Sequence, residues 1–225
     1  DSKIEVSGPK GKDEFYFPET VSIEQSDSEF CIHLGDMVNP VPELPSYTTA
    51  ANNFHAIASR LSIPLYLMPG NHDIGDKPVT WMPAGMVNKE HVDLYRHHFG
   101  RDYFSFDYET CHFVIINSPL INSGDPIEKK QAAWLENDLN ENKSKRIFLF
   151  SHYPVYVSNP DEPESYDNID EPGRSWLINL IETYKPEALF AAHVHNFWYD
   201  VIGETEYYIV PSTCFVRHDY SEMYR

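Results

Sequence analysis

Two oxygen-bearing side chains and three imidazoles of this 225-residue chain occur in short clusters whose types and spacing could do chemistry together. The clusters are Gly35-Asp36 through Asn39, Gly70-Asn71-His72-Asp73, Ser151-His152 and His193-Val194-His195. Asp36 and Asn71 offer oxygen; His152, His193 and His195 offer nitrogen. Such a mixed hard and borderline donor set suits a pair of ions such as Zn, Fe, Mn or Ni better than Ca or Mg alone. Taken singly, each cluster has an ordinary reading. Asp and Asn beside Gly favour turns, and two histidines at a strand end need hold nothing. Their common placement is what carries weight.

Each cluster follows a stretch that reads as a strand. Glu29–Leu34 is a short apolar run ending at Gly35, and Ile63–Met68 is rich in branched and aromatic residues and stops at Pro69-Gly70. Arg146–Phe150 runs into Ser151-His152, and Glu187–Ala192 runs into His193. Between the first two, apolar Ala50, Phe54, Ile57, Ala58 and Leu61 recur at helical spacing over Tyr47–Leu61, with Ser46 available as a cap. Strand, helix and strand in that order imply a parallel pair with a right-handed crossover. In such sheets the carboxyl ends of strands converge on one edge, where distant loops deliver side chains to a common crevice.

The remaining pattern alternates in the same way. His91–His98, Lys129–Asn140 (Ala132, Leu135 and Leu139 inward) and Arg174–Tyr184 read as helices. Tyr103–Tyr108 with His112–Asn117, and Phe197–Ile202 with Glu206–Val210, read as hairpins. Gly8–Asp13 reads as a loop, with no strand before Phe30. Asp76–Asn88, which contains Trp81, reads as a long loop or lid. Tyr153–Gly173 reads as a second, acidic and solvated loop that lacks EF-hand spacing and could form the rim of a substrate pocket. The sum is a layered α/β architecture in a single domain spanning residues 1–225.

Composition narrows the partners. With 17 Lys+Arg against 35 Asp+Glu, the formal charge is −18, which repels nucleic-acid backbones and anionic membrane surfaces. It also repels a phosphate ester unless bound metal supplies compact positive charge. Cys31, Cys111 and Cys214 are far apart, without CxxC spacing, and read as reduced small hydrophobes. No run reaches the ~18 apolar residues of a transmembrane helix, and Asp1–Lys12 is too polar for a signal peptide, so a soluble protein of unknown compartment is expected.

In order and spacing, Gly35-Asp36-Met37-Val38-Asn39 resembles the GDxx[DN] motif of calcineurin-like metallophosphoesterases. Gly70-Asn71-His72-Asp73 matches their GNH[DE] motif, His152 sits where their lone histidine does, and Ala192-His193-Val194-His195 resembles GHxH. The resemblance implies a four-layer α/β/β/α sandwich of two mixed sheets. It also implies two divalent or transition metal ions (Mn, Fe, Zn or Ni), with Asp36 bridging both, Asn71, His152 and His193 completing the second metal, and His195 on the first. His72 would then be a non-ligand that stabilises charge or protonates the leaving oxygen, with Asp73 orienting it. The implied reaction is hydrolysis of a small phosphomonoester or phosphodiester by a metal-bridging hydroxide. The family's opening DxH or DxQ motif has no counterpart before Gly35, the nearest triplet being Asp1-Ser2-Lys3, so the chain is expected to be truncated at its N-terminus and to lack its first strand. A complete chain would instead be a catalytically impaired interaction module on the same fold. Ala192 in place of Gly is harmless unless that residue needs positive φ. His33, His97 and His98 read as core or surface histidines, and Tyr153, Tyr156, Trp81 and Arg217 are assigned no role.

Overall fold

The computed structural model describes residues 27–78 and 84–213, together with the strands β1 (Val6–Gly8) and β2 (Gly11–Asp13). Trp81, Cys214 and Arg217 lie outside the described residues. β1 and β2 pair antiparallel, Gly8 opposite Gly11. This corrects the reading of Gly8–Asp13 as a loop with no strand before Phe30. Gly8 and Gly11 are the innermost pair of this short antiparallel ladder.

Six strands build the main sheet: β5 (Phe104–Tyr108), β6 (Cys111–Ile115), β7 (Arg146–Phe150), β8 (Ala188–Ala191), β9 (Trp198–Ile202) and β10 (Thr205–Ile209). Their order is β5-β6-β7-β8-β10-β9, a parallel centre with an antiparallel pair at each edge. The crossovers are α4 (Pro126–Asn142) and α5 (Gly173–Tyr184). Asp125 caps α4, its Oδ1 accepting from Ile127 N at 2.8 Å, and Pro126 starts the helix where its missing N–H costs nothing.

The strand period of two sorts the sheet's faces. Along β7, Ile147 and Leu149 face Leu135 and Leu139 of α4 and Leu177 and Ile181 of α5. Phe148 and Phe150 face the other way, joining Ile115 and Phe190 against Ile32, Leu34 and Met68. That second layer is β3 (Cys31–His33) paired parallel with β4 (Leu65–Leu67). Stacked rings bind the layers: Phe113 lies 5.1 Å from Phe106 and 5.4 Å from Phe148, and Tyr66 of β4 lies 3.8 Å from Phe106. Each buried aromatic contributes roughly 1.5–3 kcal/mol of burial free energy.

Helices α1 (Tyr47–Ala58) and α3 (Lys89–Phe99) form the outer layer, packing Tyr47, Ala51, Val92, Tyr95 and Phe99 into one cluster that Leu67 joins. The layers therefore run α/β/β/α, as the family resemblance implied. The larger sheet is mixed; the smaller is, among the described residues, the parallel pair β3–β4. The buried face of α1 is centred on Tyr47 and Ala51, so Ile57, expected inward, is 68% exposed. Ser46 makes no side-chain cap bond. A four-residue helix, α2 (Asn71–Ile74), follows β4 directly. No helix among the described residues is long and apolar enough to cross a membrane.

Candidate metal centre

Parallel pairing brings the carboxyl ends of β3, β4, β7 and β8 to one edge, and the four clusters meet there. The approach is close enough to require glycine. A Cβ on Gly35 (φ +94°) would lie 2.6 Å from both Gly70 N and His152 Nδ1, and one on Gly70 would lie 2.2 Å from Asp36 Oδ1. Asp36, His193 and His195 hold positive φ of 58°, 66° and 56° without being glycine. Such backbone strain gathers at functional sites, where the surrounding structure enforces it. Ala192 has no positive φ, so an alanine there is tolerated.

His152 is the hub. Its Nδ1 donates to the Leu34 carbonyl at 2.8 Å, so the lone pair of Nε2 is turned inward. Around Nε2 stand Asn71 Oδ1 at 3.1 Å, His193 Nδ1 at 3.2 Å and Asp36 Oδ2 at 3.5 Å. Asn71 is oriented by its amide nitrogen, which donates to Asp76 Oδ2 at 3.1 Å and to the Tyr166 hydroxyl at 2.7 Å. The carbonyl end therefore faces His152. An amide oxygen and a carboxylate are acceptors, and with Nδ1 donating to Leu34 the second nitrogen of a neutral imidazole is an acceptor too. Acceptor atoms of Asn71 and Asp36 thus converge on His152 Nε2 beside His193 Nδ1.

A cation is the group that resolves such a convergence. Tetrahedral ligands at about 2.1 Å from an ion are about 3.4 Å from one another, and the three separations bracket that value. Asp36, His152 and His193 form a group that could hold a metal ion. Burial, with His152 and His195 nearby, pushes His193 well below the usual histidine range, which keeps its imidazole neutral and able to ligate. The rings of Tyr153 and Tyr166 flank it at 4.4 and 4.7 Å.

The other expected residues fall around this group. His195 stands two residues further on, outside the donor group just described. His72 also lies outside it; its backbone N–H donates to Asp36 Oδ1 at 3.0 Å and its Nδ1 to the Asn39 carbonyl at 2.6 Å, which leaves Nε2 as the nitrogen open to a substrate. Asp73 is fully buried, and its carboxylate accepts from Asp36 N at 2.6 Å, Gly70 N at 2.9 Å and Val38 N at 3.2 Å. It staples the loops that carry Asp36 and Asn71 together. Burial and the neighbouring Asp36 push its pKa up, against the three backbone donors.

Sequence reasoning missed Asp76, Lys77, Tyr166 and Arg174. Asp76 is buried and accepts from the Tyr153 hydroxyl as well as from Asn71. Lys77, 4% exposed, donates to the carbonyls of Ser165 and Asn168 (2.6 Å) and to Asp170 Oδ1 at 2.8 Å. Arg174, 2% exposed, binds the carbonyls of Ile169, Pro160 and Glu162. The acidic loop 153–173 is thus not simply solvated: Asp167, Asn168 and Ile169 are buried, and two buried cations fix its course. Tyr156 is a packing residue, its hydroxyl on Asp200 at 2.9 Å.

The calcineurin-like phosphoesterase family model matches residues 16–197. The serine/threonine-protein phosphatase CPPED1 of Danio rerio is 28% identical over 180 residues, covering 76% of this chain and 55% of the relative. A probable glycerophosphodiester phosphodiesterase GpdQ of Arcobacter nitrofigilis is 24% identical over 189 residues, covering 78% of this chain and 64% of the relative. The chain thus spans a little over half to just under two thirds of the length of these two relatives. Among solved structures, GAP50, the anchor in the inner membrane complex of Plasmodium, superposes with a TM-score of 0.60 at 13% identity, over 87% of this chain and 65% of that one. That likeness concerns the fold alone. With the family model matched across the four converging strand ends, the chain belongs to the calcineurin-like phosphoesterase family.

Proposed function

We propose that the protein hydrolyses a small phosphomonoester or phosphodiester at a pair of divalent metal ions. The observation that carries this is the cluster of lone pairs around His152 Nε2, two of them, from Asn71 and Asp36, fixed as acceptors by their own chemistry. Asp36, Asn71, His152 and His193 would hold one ion, and Asp36 with His195 would contribute to the other. When bound, the ions would bind the phosphoryl oxygens and bring the pKa of a water toward neutrality.

This chain's residues supply the rest. Asp73 fixes the Asp36 amide and so the carboxylate's aim. His72, tied through Nδ1 to Asn39, keeps Nε2 for the substrate and would give a proton to the departing alkoxide. The charge of −18 favours a small organic ester over a nucleic acid. Relatives named as a phosphatase and as a phosphodiesterase support both ester classes as candidates.

The test uses the full-length gene product, stripped of metal and reloaded with Mn2+, against p-nitrophenyl phosphate and its bis ester. Turnover of at least one, dependent on Mn2+ and lost in Asp36→Asn, is expected. Metal binding without turnover of either would favour the interaction-module alternative.

A further inference from the structure

The side-chain amide of Asn71 is held from a place far away in the chain. Its Nδ2 meets the Tyr166 hydroxyl, 95 residues downstream, at 2.7 Å. Nδ2 carries the protons of this pair, so the Tyr166 oxygen accepts from the amide. Asn71 Nδ2 donates to Asp76 as well. Turning the amide over would set its oxygen against the Asp76 carboxylate and give up both bonds that Nδ2 now makes. The orientation is therefore determined by two groups, one of them delivered by the acidic loop. Asp76 is followed at once by Lys77, whose ammonium group holds Ser165, Asn168 and Asp170 of that loop. Two consecutive residues thus anchor both the ligand and the loop that orients it.

We propose that Tyr166 is a positioning residue for metal binding, keeping the Asn71 carbonyl oxygen aimed at the ion, and that the Lys77–Asp170 latch keeps Tyr166 in place. This rests on the metal-site reading above and adds the loop 153–173 to the apparatus that tunes it. Partners that orient a ligand commonly change metal affinity about 10–100-fold when removed.

The experiment compares the full-length wild-type protein with Tyr166→Phe and Asp170→Asn, reading Mn2+ affinity by competition with a fluorescent chelator and melting of the metal-free protein. Tyr166→Phe keeps the ring beside His193, so the metal-free Tm should move by no more than about 2 °C, while the Mn2+ Kd rises about 10-fold. At saturating Mn2+, KM for the ester should match wild type, which separates lost positioning from lost substrate contact. Asp170→Asn, which touches neither metal nor ligand, should weaken Mn2+ in the same direction and serves if the Phe variant folds poorly. Wild-type Mn2+ affinity in Tyr166→Phe overturns this inference alone; a wild-type protein that binds no Mn2+ overturns it together with the proposed function.

Discussion

The Asp73 carboxylate accepts the Asp36 amide at 2.6 Å across 37 residues of sequence, and with its second oxygen it takes Val38 as well. A single buried group thereby sets the spacing of the loops after β3 and β4. Asp73→Ala would leave three backbone donors without acceptors, and each buried donor left unsatisfied costs about 1–3 kcal/mol. A loss of about 3 kcal/mol or more is expected by denaturant titration of the metal-free protein, with Mn2+ affinity falling alongside. A variant as stable as wild type would show that the staple is not needed.

Glycine at 35 is required twice, by its φ of +94° and by the Gly70 backbone 2.6 Å from any Cβ. Gly35→Ala must shift one strand end against the other. The strained φ alone costs roughly 1–3 kcal/mol. Differential scanning calorimetry should show a lower Tm, and Mn2+ titration should show weakened binding because Asp36 is the next residue.

His112 makes stability depend on pH away from the metal centre. Burial alone would push its pKa down, but hydrogen bonds from its two ring nitrogens to Asp138 at 2.8 Å and Asp107 at 2.6 Å outweigh that, and the net shift is upward. Both nitrogens donate only in the charged form. A raised folded pKa gives stability that is fully present below the unfolded value of ~6.5 and is lost as pH rises through the folded value. The stability difference between wild type and His112→Gln should therefore shrink as pH is raised from 5.5 to ~8.5, measured by urea unfolding. Since Asp107 is half exposed, added salt should reduce the effect. A difference independent of pH would contradict this account.

Lys77→Met removes the charge that gathers Ser165, Asn168 and Asp170. Breaking a buried ion pair costs about 3–5 kcal/mol, and the lower end applies because Asp170 is partly exposed. Hydrogen exchange should rise across residues 163–170, with α4 and the strands it packs on keeping their protection. Unchanged exchange in that loop would show that Arg174 alone holds it.

The convergence of the candidate donors was legible because glycine-flanked Asp36 and Asn71 and the spaced histidines each follow an apolar run, so strand ends could be marked from the sequence. What orients those side chains was not. Asp76 sits five residues after Asn71 in a stretch that reads only as loop, and Tyr166 lies in an acidic segment whose charge suggested solvation. Tyr166 reaches Asn71 across 95 residues, and Asp76 is itself held by Tyr153 across 77, contacts that local patterns do not encode. The same limit explains Lys77, whose partners lie 88 to 93 residues away. Ile57 was misplaced because helical spacing fixes a period but not which side of it meets the sheet. The β1–β2 pair was missed because glycine breaks and turns a chain with equal ease.

The most direct test of the central claim is anomalous scattering from crystals of the protein soaked in Mn2+. The account predicts a peak in coordination contact with Asp36, Asn71 Oδ1, His152 Nε2 and His193 Nδ1. A peak elsewhere, or a site in which Asn71 presents its nitrogen and His193 makes no bond, would contradict it.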